Sequence, residues 1–377
     1  MFNRQDKTRN GMMLTGSFSR KGYDWWWHSF TARNEKTGED KAFFIEYFLC
    51  NPALGRKEPV FGQLPENKRR GIRPSYLMVK AGCWGEDHCQ LHRFFGIRQV
   101  RVHGKAPYYV AAGNCFASDF RLRGSVSVTE EQVKAHPEYL CDAGEMSWDL
   151  KLDKKIAFHV GYGAGSICRA IKAFEMYWHA EGMKTLYSGT VTCNGETYRV
   201  TPETSYGYAD KNWGRGFTSP WIWLSSCSMR SRLTGEELRN SVFDIGGGKP
   251  KVYCVPLPRK LLGAFYHEGE EYEFNFSKFW MLPRTQFRAK ETGDEIVWYV
   301  RQENYKAIMV CDVRCRKKDM LLVNYEAPDG SKRHNRLWNG GNGKGRIRLY
   351  KKHLTGLELA DDIEADRIGC EYGEYDS

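Results

Sequence analysis

The sequence predicts a mostly β fold: two antiparallel barrel- or sandwich-like halves in tandem, with a few short helices. Three observations predict it. Apolar residues alternate with period two along much of the chain, helical periodicity is sparse, and one hairpin pattern occurs twice. The segments 25–48 and 222–245 superpose without a gap at an offset of 197 residues. Trp26 falls on Trp223, Ser29 on Ser226, and Thr37-Gly38-Glu39 on Thr234-Gly235-Glu236. Each copy reads as a Trp-rich strand, a Thr-Gly-Glu turn and a second strand. The repeat divides the chain into residues 1–205 and 206–377, and 197 residues leave room for eight or more strands of ordinary length.

The elements follow in order. "SDFRLRGSVSV" (118–128) puts Phe120, Leu122, Val126 and Val128 on one face of a strand. "TEEQVKAH" (129–136) reads as a short helix: Thr129 is an N-cap with Gln132 three residues on, and Pro137 stops it. "EMSWDLKL" (145–152) alternates Met146, Trp148, Leu150 and Leu152 with polar residues. "SICRAIKAFEMYW" (166–178) fits another short helix. In the second half, "EIVWYVRQ" (295–302), "AIMVCDVRC" (307–315) and "MLLVNYEAPDGSK" (320–332) read as strands, the last closed by a Pro-Asp-Gly turn. "GGGKP" (246–250) reads as a loop after the second hairpin.

Composition sets the class. The 377 residues are 41% hydrophobic and 27% charged, ordinary for a soluble globular chain, and the aromatic share of 14% is high. No run of about 18 apolar residues exists. The first residues, "MFNRQDKTRNGMML", lack the apolar run of a secretory signal, so a cytoplasmic location is the expectation. Twelve scattered cysteines in such a chain read as reduced, mostly buried thiols. The net charge of +11 concentrates in "ENKRRGIR" (66–73), "RCRKK" (314–318) and "KGRIRLYKKH" (344–353). No nucleic-acid-binding motif accompanies it, which leaves a solvated basic face or a peripheral contact with an anionic membrane surface.

Several chemistries are set aside on spacing. Gly161, Gly163 and Gly165 in "HVGYGAGSICRAIKAFE" miss the dinucleotide fingerprint by one residue and lack alternating βαβ surroundings. Cys83, His88, Cys89 and His92 could ligate zinc, but the Cys spacing is not that of a knuckle. Adjacent His88 and Cys89 would also point to opposite faces of a strand, so no metal is expected. There is no G-x-S-x-G elbow and no Walker spacing.

The stretch "SYGYADKNWGRGFTSPWIWLSSCSM" (205–229) remains. It sets Asp210 and Lys211 beside Trp213, Trp221 and Trp223. A carboxyl against such rings is desolvated, its pKa rises, and it can act as a general acid near neutral pH. Aromatic faces can stabilise a carbocation. The alternative is a structural Asp210 that caps a turn or pairs with Lys211 or an arginine.

"YADKNWG" (208–214), Phe217, Trp221-x-Trp223, "TGE" (234–236) and "GGG" (246–248) together resemble the tocopherol cyclase family, whose members carry Tyr-Ala-Glu-Lys-Asn-Trp-Gly at the first motif. "GYDWWWHSF" (22–30) is similar to that family's N-terminal Trp-rich strand, and "YEAPDGSK…GKGRIRLY" to its closing strands. The resemblance implies two lipocalin-like barrel halves. It also implies cofactor-free protonation of a prenyl double bond, followed by attack of a phenol oxygen. Asp210 stands where the family has Glu, Ser225 and Ser226 stand where it has Gln and Cys, and a plastid transit peptide is not evident.

The function expected is acid-catalysed cyclisation, hydration or isomerisation of a bulky apolar isoprenoid or phenolic molecule. Asp210 would be the acid, with Lys211 tuning it or orienting the substrate. Trp213, Trp221, Trp223, Trp25, Trp26 and Trp27 would line the cavity, with Tyr208, Asn212 and His28 as further contacts. The rivals are a carrier that binds a hydrophobic ligand without turning it over, and a basic-surface interaction protein.

Overall fold

The computed structural model describes residues 9–159, 164–253, 255–331 and 333–374. Two large antiparallel sheets dominate it. The first has twelve strands and the second eleven. Each is barrel-like and closes around its own apolar core. Among the described residues, no helix is long and apolar enough to cross a membrane.

In each sheet the first strand is central. Tyr23–Asn34 lies between Asp40–Cys50 and Gly207–Gly214. Trp221–Ser226 lies between Val242–Gly248 and Gly356–Gly373. The chain passes from one sheet to the other between Gly214 and Trp221, beyond the 205/206 division that the repeat suggested.

The two turns of the repeat are equivalent at the expected offset. Gly38 N–H donates to Asn34 O and Gly235 N–H to Ser231 O, both at 3.0 Å. Both glycines sit at positive φ, 74° and 76°. The tryptophans correspond differently. A bend at Cys227 adds one residue between Trp221–Ser226 and Ser228–Ser231, whereas Tyr23–Asn34 runs unbroken. One extra residue flips every side chain upstream of it. Trp26 and Ile222 therefore face the two barrel interiors, while Trp25, Trp27, Trp221 and Trp223 face the seam between the sheets. The structural partner of Trp223 is Trp27, not Trp26.

Other expectations resolve element by element. The helix Glu130–Ala135 carries the full capping box: Gln132 N–H donates to Thr129 Oγ1 at 3.2 Å and Thr129 N–H to Gln132 Oε1 at 2.9 Å. Met146, Trp148, Leu150 and Leu152 are all buried on the strand Gly144–Phe158. Leu122, Val126 and Val128 are buried, whereas Phe120 precedes its strand and is exposed. The helix expected over 166–178 is Ala164–Ala170, because the strand Met176–Cys193 takes the rest. Gly161 and Gly163 lie outside the described residues. Gly165 belongs to that helix, which joins antiparallel strands, whereas a dinucleotide fold needs parallel ones. The Gly-Gly-Gly run is strand, not loop. A Cβ on Gly248 would stand 1.6 Å from Pro220 O, which explains glycine there.

Candidate active site between the two sheets

The seam buries a third apolar cluster fed by both sheets, including Trp27, Phe44, Phe48, Tyr208, Trp221, Trp223 and Tyr325. Trp25 stacks on Tyr325 at 5.4 Å, and Tyr208 meets Trp223 at 5.0 Å. Into this apolar layer the sheets set three carboxyl groups.

Asp210 comes from Gly207–Gly214, in register with Trp27. Its Oδ2 accepts from Trp178 Nε1 at 2.8 Å and from the Tyr208 hydroxyl at 3.2 Å. Its Oδ1 is buried and has no hydrogen-bond partner among the described residues. Asp244 comes from Val242–Gly248, and its Oδ1 accepts from Trp223 Nε1 at 3.0 Å. Its Oδ2 is likewise buried without a partner. Glu371 comes from Gly356–Gly373, in register with Trp223. It accepts from Trp221 Nε1 at 2.6 Å and Asn339 Nδ2 at 2.7 Å. Trp27–Asp210 and Trp223–Glu371 are thus matching pairs, one on each side of the seam.

Burial holds Asp210 well above the usual carboxylate range, and the charge of Glu371 pushes it the same way. Asp244 is raised well above that range by burial and by Asp210. Glu371 is raised by burial to about 7. Among the described residues, none of the three makes an ion pair with Lys or Arg. Each indole N–H stabilises an ionised form, yet burial outweighs it. All three carboxyls are therefore shifted toward their protonated forms. Farther along the seam Glu46 pairs with Lys80 at 3.0 Å, and Tyr325 donates to Glu46 at 3.0 Å.

An apolar cleft of about 90 Å³, open to solvent, leads toward this layer. Trp178 and Trp221 line it, so the indoles that donate to Asp210 and Glu371 are also its walls. Their rings converge over Gly246, where an added Cβ would touch both at 3.6–3.8 Å.

The sequence-predicted residues divide between two faces. Tyr208, Asp210 and Asn212 point to the seam, and Tyr23 donates to Asn212 Oδ1 at 3.1 Å. Lys211 points the other way, into the first barrel, because neighbours on a strand face opposite sides. There it forms an ion pair with Asp24 and lies 4.0 Å from the Trp26 ring. Trp26 stacks on Tyr108 at 5.9 Å inside that barrel. His28 is also inside, 3.0 Å from the Tyr187 hydroxyl, and burial then Lys154 hold its pKa well below the usual value. Lys211, Trp26 and His28 thus stand apart from Asp210. Trp213 is packed in the first core and also lines the cleft. Trp25 and Trp27 border the seam, and neither indole N–H has a partner.

Trp178, Asp244 and Glu371 were not singled out from sequence. Only Asp244, the lone carboxyl of the almost wholly buried strand Val242–Gly248, carried a signal that could have been read.

For a metal, the Cys83–His92 stretch supplies only its thiols. His88 contacts the Gly85 and Lys318 carbonyls, and His92 Nδ1 lies 2.6 Å from Tyr139 O. Cys193 joins Cys83 and Cys89 instead, and the three sulfurs lie within 4.8 Å of one another. Such a donor set suits a soft ion. All eleven described cysteines are free thiols.

Two curated proteins align in part. A probable chloroplastic tocopherol cyclase of Oryza sativa subsp. japonica is 32% identical over 109 residues, which are 28% of this chain and 21% of that one. The chloroplastic tocopherol cyclase of Zea mays is 29% identical over 139 residues, 36% of this chain and 26% of that one. The chain thus matches about a fifth to a quarter of the length of these relatives. Among solved structures, kievitone hydratase from Nectria haematococca gives a TM-score of 0.48 at 12% identity, with 98% of this chain and 96% of that one covered. CghA with Sch210972 gives 0.46 at 11%, covering 95% and 90%. The tocopherol cyclase-like family model matches residues 129–372, a span that includes Trp178, Asp210, Asp244 and Glu371, and on that match the chain belongs to the tocopherol cyclase-like family.

Proposed function

We propose that the chain is a cofactor-free acid catalyst that cyclises, hydrates or isomerises a bulky apolar isoprenoid or phenolic molecule, with Asp210 as the acid. One observation carries the reading. Asp210 is a carboxyl that burial pushes toward its protonated form, whose Oδ1 makes no hydrogen bond among the described residues, set among tryptophans behind an apolar cleft. Protonation of an alkene needs a neutral acid free to give its proton, and a cation-tolerant wall that excludes water.

Asp210 would transfer its proton from Oδ1 to the double bond, leaving a carbocation on the substrate and a carboxylate on the chain. The faces of Trp27 and Trp178 would stabilise the cation. Attack by the substrate's own phenol oxygen closes a ring, attack by water gives an alcohol, and loss of a neighbouring C–H proton gives the isomer. In each case the proton released returns to Asp210; cyclisation and isomerisation consume no other reagent, and hydration consumes one water. Asp244 would act through Tyr208: two acids raised together keep the local proton inventory high. Lys211 would hold the strand from its other side through Asp24.

The rival reading is a carrier. It is favoured by one feature: Trp178 lines the cleft and Asp210 does not. Turnover of a prenylated phenol by the whole chain decides between them. Asp210→Asn keeps the shape and removes the transferable proton. It should cost about 10² to 10⁴ in rate with binding nearly unchanged. Full turnover by Asp210→Asn would end the assignment. Binding without turnover by the unaltered chain, across a panel of such phenols, would favour the carrier.

A further inference from the structure

Three short segments meet around the cleft mouth: 164–174, 249–260 and 276–284. Their contacts are direct. Tyr253 N–H donates to Ala173 O at 2.7 Å, and its hydroxyl donates to Ile171 O at 3.3 Å. Phe174 bridges to Val252 and meets Phe276 edge-on at 6.0 Å. Phe174, Pro250 and Phe276 line the cleft itself.

These segments are unlike the rest of the surface in two ways. Among the described residues seventeen large apolar side chains are exposed, and seven of them fall here. Phe279 is 76% exposed, Leu282 68% and Trp280 52%, on one turn that carries them outward together. Ile167, Ile171, Tyr253 and Val255 complete the set. The same segments contain eight Lys and Arg and no Asp or Glu. Lys278 is tied to Glu273 at 2.7 Å, Lys251 lies 4.0 Å from Glu175 and Arg259 3.6 Å from Glu374, while Lys249 and Arg284 are exposed.

Exposed Trp, Phe and Leu ringed by cations have the chemistry of a membrane interface: rings and aliphatic chains enter the headgroup layer while Lys and Arg meet anionic lipid. We propose that the rim of the cleft docks on an anionic lipid bilayer, so that the cleft opens toward the membrane and an apolar substrate enters it without crossing water. The route of entry rests on the function proposed above; the docking does not. The charge pattern selects the bilayer over a second copy of this chain, since two such rims would repel.

Flotation of the whole chain with phosphatidylcholine vesicles, with and without phosphatidylglycerol, tests the docking without any substrate. Binding is expected with phosphatidylglycerol, weakened by salt because the attraction is screened. The triple variant Phe279→Ser, Trp280→Ser, Leu282→Ser should bind at least about tenfold more weakly. Its unfolding transition should be unmoved, since these side chains are exposed. Leu354→Ser, a fully exposed leucine elsewhere, should bind like the unaltered chain. Lack of flotation by the unaltered chain, or undiminished flotation by the triple variant, would overturn the proposal. Self-association lost in the triple variant, without vesicle binding, would assign the face to a second copy and overturn it too. If vesicle binding holds and turnover fails, the docking stands and the catalytic reading falls.

Discussion

The interior of the first barrel and the part of the seam that holds Asp210, Asp244 and Glu371 both bury carboxyl groups among aromatic rings, and they treat them oppositely, although farther along the seam Glu46 does pair with Lys80. Inside the barrel every buried acid has a cation. Lys154 meets Glu181 at 2.9 Å and Asp119 at 3.5 Å, and Lys211 meets Asp24. At the seam Asp210, Asp244 and Glu371 accept only from indoles, a hydroxyl and an amide. A buried ion pair compensates two desolvation costs internally and stays ionised. A buried acid without a cation keeps its proton. The same strand, Gly207–Gly214, contributes to both: Lys211 to the ion-paired side, Asp210 to the side whose acids burial pushes toward protonation.

The contrast can be broken by substitution. The largest effect should come from Asp210→Asn, which should lose about 10² to 10⁴ in rate while leaving denaturant unfolding almost unmoved. A large fall in stability with full activity would mean the seam is built like the barrel interior. Next is Lys154→Met, which leaves Glu181 and Asp119 buried without their cation. It should destabilise by about 3–5 kcal/mol, read by urea unfolding, with bound-substrate turnover retained at low temperature.

Glu371 gives a pH signature of similar size. Its folded pKa of about 7 lies above its ordinary value of 4.5. Between those values the folded chain keeps a proton that the unfolded chain has released. Stability from this group is therefore full below about pH 4.5 and is lost as pH rises to about 7, by about 3 kcal/mol. Glu371→Gln should flatten that slope, and an unchanged slope would place the titration elsewhere. The raised acids also predict turnover that falls, not rises, as the solution becomes alkaline.

The smallest effect should come from Gly246→Ala. Its Cβ would meet the Trp178 and Trp221 rings at ordinary contact distance, so the fold should tolerate it. The narrowed cleft should weaken binding of a bulky ligand a few-fold, measured by fluorescence titration. Gly248→Ala, pressed against Pro220 O, is the contrasting case and should destabilise the chain.

Much of this was legible in the amino-acid order. Alternation such as Met146–Leu152 marked strands because period two is a local property of an extended backbone. The Thr-Gly-Glu turns were recognisable because positive φ demands glycine there. The motif around Tyr208–Gly214 marked the family and put Asp210 forward. Facing was harder to read. The bend at Cys227 slips the second hairpin by one residue, so equal spacing paired Trp223 with Trp26 when the fold pairs it with Trp27. Lys211, adjacent in sequence, was expected to serve Asp210, whereas strand geometry sends it through the sheet to Asp24.

By itself, then, the sequence determined the strands, the turns and the acid candidate, which depend on neighbours within a few residues, and the duplicated hairpin, which the 197-residue offset made visible. Only the tertiary structure decided that Asp210, Asp244 and Glu371 share one seam. They lie on three strands in two sheets, far apart along the chain, and what sets their protonation is the water and the cations that packing removes from around them.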